Sequence, residues 1–152
     1  MNDKDYLKLA IEQARLSVEE GGFPAGVIVV KDGEIIARAI SIGSKLTGHA
    51  ETSAIREACR TLGTTDLSGA KLYTSLESCA MCFFVANWAG ISKIVYGFKK
   101  TEDMVKKGYY EGSNDLSELN QKNNRKIELE HLPDFEEEMK EIIKNWEEKN
   151  KL

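Results

Sequence analysis

With 152 residues, the chain is near the commonest size for a single domain and long enough to bury a core without disulfides or stacked repeats. Its 41% hydrophobic and 30% charged composition is that of an ordinary globular protein, with neither an apolar stretch able to span a bilayer nor a signal peptide. The balance of 21 basic against 25 acidic residues, net −4, argues against nucleic acid as a partner, because such proteins usually neutralise phosphates with a basic stripe. One cytoplasmic domain over residues 1–152, away from membranes, is the expectation, and the charged start Met1-Asn2-Asp3-Lys4-Asp5 reads the same way.

Residues 3–20 carry Leu7, Ile11, Ala14 and Val18 at helical spacing and stop at Gly21-Gly22. Val27 to Val30 is a β-branched run, Lys31-Asp32-Gly33 a turn, and Glu34 to Ile40 a second strand, so the three form a hairpin. A loop from Ser41 to Gly48 leads to a helix from His49 to about Leu62, closed by Gly63. Lys71 to Leu76 reads as a third strand. Cys79 to Ala89 is apolar nearly all the way round, which predicts a helix packed inside the domain. Ile94 to Gly97 is a short fourth strand, residues 98–125 are polar with one or two short helices, and Lys126 to Leu129 is a candidate fifth strand. A final helix from about Pro133 sets Phe135, Met139, Ile142, Ile143 and Trp146 on one stripe, which reads as core, with Glu136, Glu137 and Glu138 on a solvated face. Strands interleaved with helices predict a three-layer α/β domain whose sheet is mixed, because its first two strands are a hairpin.

The chemistry lies in His49-Ala50-Glu51 and in Ser78-Cys79-Ala80-Met81-Cys82. One imidazole and two thiolates make three ligands, whereas a structural zinc site usually closes its tetrahedron with four. Glu51 supplies a proton acceptor that is not itself a ligand. A redox pair or a structural zinc are the competing readings of Cys-x-x-Cys alone; the histidine and acid at one predicted helix start and the thiols at the next favour catalytic zinc. The helix N-terminal field would also favour thiolates. The third cysteine, Cys59, reads as a small buried hydrophobe. His131 has no companion and reads as a solvated or capping residue. Trp88 is equally well a core residue or a pocket wall.

The run His49-Ala50-Glu51-Thr52-Ser53-Ala54-Ile55-Arg56-Glu57-Ala58-Cys59, followed by Leu72-Tyr73-Thr74-Ser75-Leu76-Glu77-Ser78-Cys79-Ala80-Met81-Cys82, resembles the cytidine and deoxycytidylate deaminase superfamily. Within it the sequence is most similar to the small guanine deaminases, then to tRNA adenosine deaminases and fungal-type cytosine deaminases. The similarity extends from Phe23-Pro24-Ala25-Gly26 through Tyr96-Gly97, with a weaker echo in Gly108-Tyr109-Tyr110. It implies a cytidine deaminase-like α/β/α fold with a mixed five-stranded sheet, one zinc held by His49, Cys79 and Cys82, Glu51 as proton shuttle, and a homodimer. Substrate contacts are then expected from Phe23, Ser41, Ala50, Glu77 and Trp88. Two departures stand out: Ser78 replaces the family's usual proline before the first cysteine, and Ser41 lies nearest the place of its base-binding asparagine. The resemblance implies hydrolytic deamination of an aminated heterocycle, a guanine-like purine first, with tRNA adenosine or cytosine as alternatives.

Overall fold

The computed structural model describes residues 1–43 and 46–151; Ser44 and Lys45 of the loop after the second strand, and Leu152, lie outside the described residues. Helix α1 (Asp3–Glu19) starts in a reciprocal cap, in which the Asn2 side chain accepts from the Asp5 N–H while the Asp5 carboxylate accepts from the Asn2 N–H. Strands β1 (Gly26–Lys31) and β2 (Glu34–Ile40) are antiparallel. Asp32 and Gly33 between them both have positive φ, 53° and 78°, as a two-residue turn matched to strand twist requires.

Helix α2 (Ala50–Leu62) leads to β3 (Lys71–Leu76), α3 (Ala80–Ala89) and β4 (Lys93–Phe98). Two short helices, α4 (Glu102–Lys106) and α5 (Leu116–Gln121), occupy the polar segment before β5 (Glu128–His131) and α6 (Glu136–Lys149). Among the described residues the sheet has five strands in the order β2-β1-β3-β4-β5. β1 is antiparallel to β2 and β3, whereas β3, β4 and β5 run parallel. The mixed sheet expected from the hairpin is therefore present.

Alternation along β1 explains the layers. Val27 and Val29 face the α2 and α3 side with Leu72, Ile94, Ala54, Ala58, Phe83 and Ala86. Ile28 and Val30 face α1 and α6 with Leu7, Ile11, Tyr73, Val95, Met139 and Ile142. Both sheet faces are covered, which is why β1 reads as an unbroken apolar run. α1 approaches β1 so closely that a Cβ on Gly26 would lie 2.2 Å from the Ala14 nitrogen, so only glycine fits there. No helix among the described residues is long and apolar enough to cross a membrane.

Several details correct the sequence reading. α3 is not enclosed: it buries Cys82, Phe83, Ala86 and Ala89, while Met81 and Trp88 are exposed and Phe84 and Val85 half-buried on its other side. Composition could not reveal this, since both faces are equally apolar. β5 lies two residues later than expected, and the last helix begins at Glu136 after a 3-10 turn over Pro133–Phe135. His131 is not a solvated residue; it sits in β5 with its ring stacked on Tyr96 at 5.4 Å. Cys59 is half-buried against the α2–α3 core.

Candidate active site

His49 caps the N-terminus of α2, and Cys79 caps that of α3, directly after β3. The parallel pairing of β3 with β4 aims the end of β3 and the start of α3 at one side of the sheet, where α2 also begins. Residues far apart in the chain thus meet: Cys79 Sγ lies 3.5 Å from His49 Nδ1, and the donor atoms of His49, Cys79 and Cys82 all fall within 4.8 Å of one another. Two sulfurs and one imidazole nitrogen so gathered fit a zinc ion with three protein ligands.

Contact between the two thiols favours the Cys79 thiolate and disfavours that of Cys82. Cys79 is drawn down to about 6, chiefly by hydrogen bonding from Cys82, despite burial. Cys82 is pushed up by its contact with Cys79 and by its own burial. A dipositive ion removes that opposition by favouring both thiolates.

Glu51 lies one helical position beyond Ala50 and is only 7% exposed. Burial, and then the nearby Cys79 charge, push its carboxyl up to about 7. Ser78 is 1% exposed, and its side-chain hydroxyl finds no hydrogen-bond partner among the described residues. It does not reach hydrogen-bond geometry with Glu51, on whose carboxyl it exerts the smallest of the lowering pulls.

His49, Glu51 and Cys79 line a cleft of about 830 Å³, ample for a small heterocycle. Of the sequence-predicted contacts, Phe23, Ser41, Ala50 and Glu77 line it. Trp88 does not: it is 89% exposed on the outer side of α3, because helical periodicity turns positions 81, 84, 85 and 88 away from the buried stripe 82, 83, 86 and 89. Trp88 is therefore neither a pocket wall nor core.

The polar loop and the last helix supply walls that the sequence reading missed. The rings of Phe23, Tyr109 and Trp146 meet edge to face, with centroids 4.9–5.7 Å apart. The Tyr109 hydroxyl and the Lys107 ammonium both donate to Glu147 on α6. Tyr110 donates to the Glu77 carbonyl at 2.6 Å, while the Glu77 carboxylate accepts the Lys100 N–H at 3.0 Å. Glu111 accepts the Ala80 N–H, at the start of α3, at 2.6 Å. The only signal for these residues was the Gly108-Tyr109-Tyr110 echo; Trp146 was indistinguishable from core. Behind the aromatic wall, Ser17 donates to the Phe23 carbonyl at 2.6 Å, and Ser75 joins the Pro24 carbonyl to the Gly26 N–H.

Comparison with known proteins agrees with this geometry. The family model for the cytidine and deoxycytidylate deaminase zinc-binding region matches residues 1–98. A tRNA-specific adenosine deaminase of Aquifex aeolicus is 41% identical over 99 residues, 63% of this chain and 66% of that protein. A guanine deaminase of Bacillus subtilis is 40% identical over 106 residues, 67% of this chain and 68% of that protein. In both, the match spans about two thirds of the relative's own length. A solved structure of guanine deaminase from Bacillus subtilis superposes with a TM-score of 0.67 at 31% identity, covering 95% of each chain.

Proposed function

The chain belongs to the cytidine and deoxycytidylate deaminase zinc-binding family, and from that premise we propose that residues 1–152 form one deaminase domain. Its reaction is the hydrolytic removal of an exocyclic amino group from a small free heterocycle, guanine-like purines first and cytosine in reserve, with release of ammonia.

The observation that carries the free-base reading is the charge of the cleft. Glu51, Glu77 and Glu111 line it, and among the described lining residues the one lysine or arginine is Lys107. That lysine already pairs with Asp103 at 2.8 Å and Glu147 at 3.2 Å. Such walls accept hydrogen bonds from ring and amino N–H groups, and they repel phosphate. Outside the cleft two further cations are engaged: Arg60 pairs with Glu57, and Lys100 donates to the Asn114 carbonyl.

Bound to His49, Cys79 and Cys82, zinc would supply the Lewis acidity that makes water a nucleophile at neutral pH. Glu51 does the proton work. With its carboxyl near 7, and lower beside a dipositive ion, it takes one proton from the attacking water and delivers it to the ring nitrogen next to the amino-bearing carbon; it then takes the second proton from the same oxygen, which becomes the ring carbonyl, and passes it to the amino nitrogen, which leaves as ammonia. Phe23, Tyr109 and Trp146 exclude bulk water from this exchange. Ala50, fully buried beside Glu51, and Ser41 at the cleft edge contact the ring. The free thiols of Cys59, Cys79 and Cys82 suit a reducing compartment such as the cytoplasm.

The α3 stripe of exposed Met81 and Trp88 with half-buried Phe84 and Val85 supports pairing with a second copy of the chain, since an apolar face of this kind is seldom left in water. A tRNA adenosine substrate is the second reading, favoured by the Aquifex aeolicus relative. A panel of bases and nucleosides scored for ammonia, run beside unmodified tRNA scored for inosine, separates the two. Ammonia from a free base at a rate nearly independent of salt is the expected result. Inosine in tRNA with free bases untouched would overturn the free-base reading.

A further inference from the structure

Thr52, on α2 one residue past Glu51, is only 7% exposed, and its Oγ1 lies 3.2 Å from Cys82 Sγ on α3. We propose that Thr52 is a positioning residue of the metal centre, its hydroxyl donating to the Cys82 sulfur so as to fix that ligand and draw negative charge from it. This rests on the metal-site reading of His49, Cys79 and Cys82.

The direction of the bond follows from ligand chemistry. Either atom could donate between a hydroxyl and a thiol, but a sulfur that binds metal is a thiolate and can only accept. The hydroxyl proton then points at the sulfur. Cys82 is fully buried, so bulk water does not compete for the lone pair. A threonine in a helix is largely restricted to two χ1 rotamers, and the one adopted here sets its oxygen 3.2 Å from the sulfur.

The two thiolates are thereby supported differently. Cys79 Sγ accepts the main-chain N–H of Cys82 at 3.5 Å, a contact supplied by its own helix turn. Cys82 takes its hydrogen bond from a side chain on another helix, which substitution can remove. The contact also joins the helix that carries His49 and Glu51 to the one that carries both thiols. A hydrogen bond to a ligand sulfur lowers its electron donation, so a metal held here keeps more Lewis acidity than two bare thiolates would leave it.

The test replaces Thr52 with valine, of the same shape and without the hydroxyl, and with serine, which restores it. Each protein is stripped with a chelator and reloaded with cobalt(II) alone, and zinc affinity is measured by competition with a chromogenic chelator. In Thr52→Val the sulfur-to-cobalt charge-transfer band should move to longer wavelength, and zinc affinity should fall by about 10–100-fold. Thr52→Ser should restore both. If the valine protein does not fold, as judged by circular dichroism, Thr52→Ala carries the same comparison. An unchanged band in a folded variant lacking the hydroxyl overturns the proposal, as does an affinity loss that serine fails to repair. A parent protein with no thiolate-to-cobalt band defeats the metal-site reading itself, a separate result.

Discussion

The rings of Phe23 and Trp146 meet edge to face with their centroids 4.9 Å apart, joining the segment before β1 to the last helix and closing one side of the cleft. Trp146→Ala should therefore raise KM by roughly tenfold, the equivalent of one lost aromatic contact with a bound ring, while leaving zinc content and the fold intact. Steady-state kinetics on the best substrate of the base panel give the answer, and an unchanged KM would place the ring outside the binding surface.

Glu51→Gln keeps size and shape but removes the proton acceptor. Zinc should stay and turnover should fall by on the order of a hundredfold to ten-thousandfold. Elemental analysis paired with ammonia release checks both halves. A glutamine variant that works at the parent rate would make the acid a spectator.

Cys82→Ala leaves one thiolate and one imidazole, too few for a tight site. Zinc content should collapse and the thermal midpoint should drop, because metal binding stabilises the folded chain over the unfolded one. Chelator treatment of the parent should produce the same drop. Full metal content in the variant would refute the ligand assignment.

At the far side of the molecule Asp3 accepts from the Tyr73 hydroxyl at 2.6 Å and pairs with Lys93 at 3.0 Å and Lys71 at 3.6 Å. Burial tends to raise its pKa, but these partners outweigh it and hold the carboxyl below its ordinary value. A folded-state pKa below the unfolded one contributes stability above the unfolded value, and the contribution is lost as pH falls through the folded value. Asp3→Asn should cost about 1 kcal/mol at neutral pH, and the gap should shrink as pH falls below the ordinary aspartate value of about 3.9. Denaturant titrations at several pH values measure it; a gap that widens on acidification contradicts this account.

Trp88 stands almost fully in water at the C-terminal end of the α3 stripe. Trp88→Glu should convert the proposed dimer to a monomer without unfolding it, since the side chain supports nothing in the core. Light scattering on both proteins decides the matter, and a parent protein that is already monomeric removes the basis for pairing.

Much of this was legible in the residues themselves. The β-branched run of β1, the Asp32-Gly33 turn and the helical stripe of α1 are local patterns, set by backbone geometry and by which side must face a core. The cluster of His49, Cys79 and Cys82 that could hold a metal, with Glu51 beside it, was legible because such chemistry demands particular residue types at short spacings, His-x-Glu and Cys-x-x-Cys, whatever surrounds them. Tertiary structure alone decided the rest. Trp88 and Trp146 are both tryptophans on apolar helical stripes; one stands in water and the other closes the cleft, because the sheet offers α3 a partner on one side only and α6 crosses beside the 107–111 loop. Tyr110, Glu111 and Thr52 gain their roles from neighbours about thirty residues away in the chain, a proximity that the crossing of elements creates and no local pattern encodes.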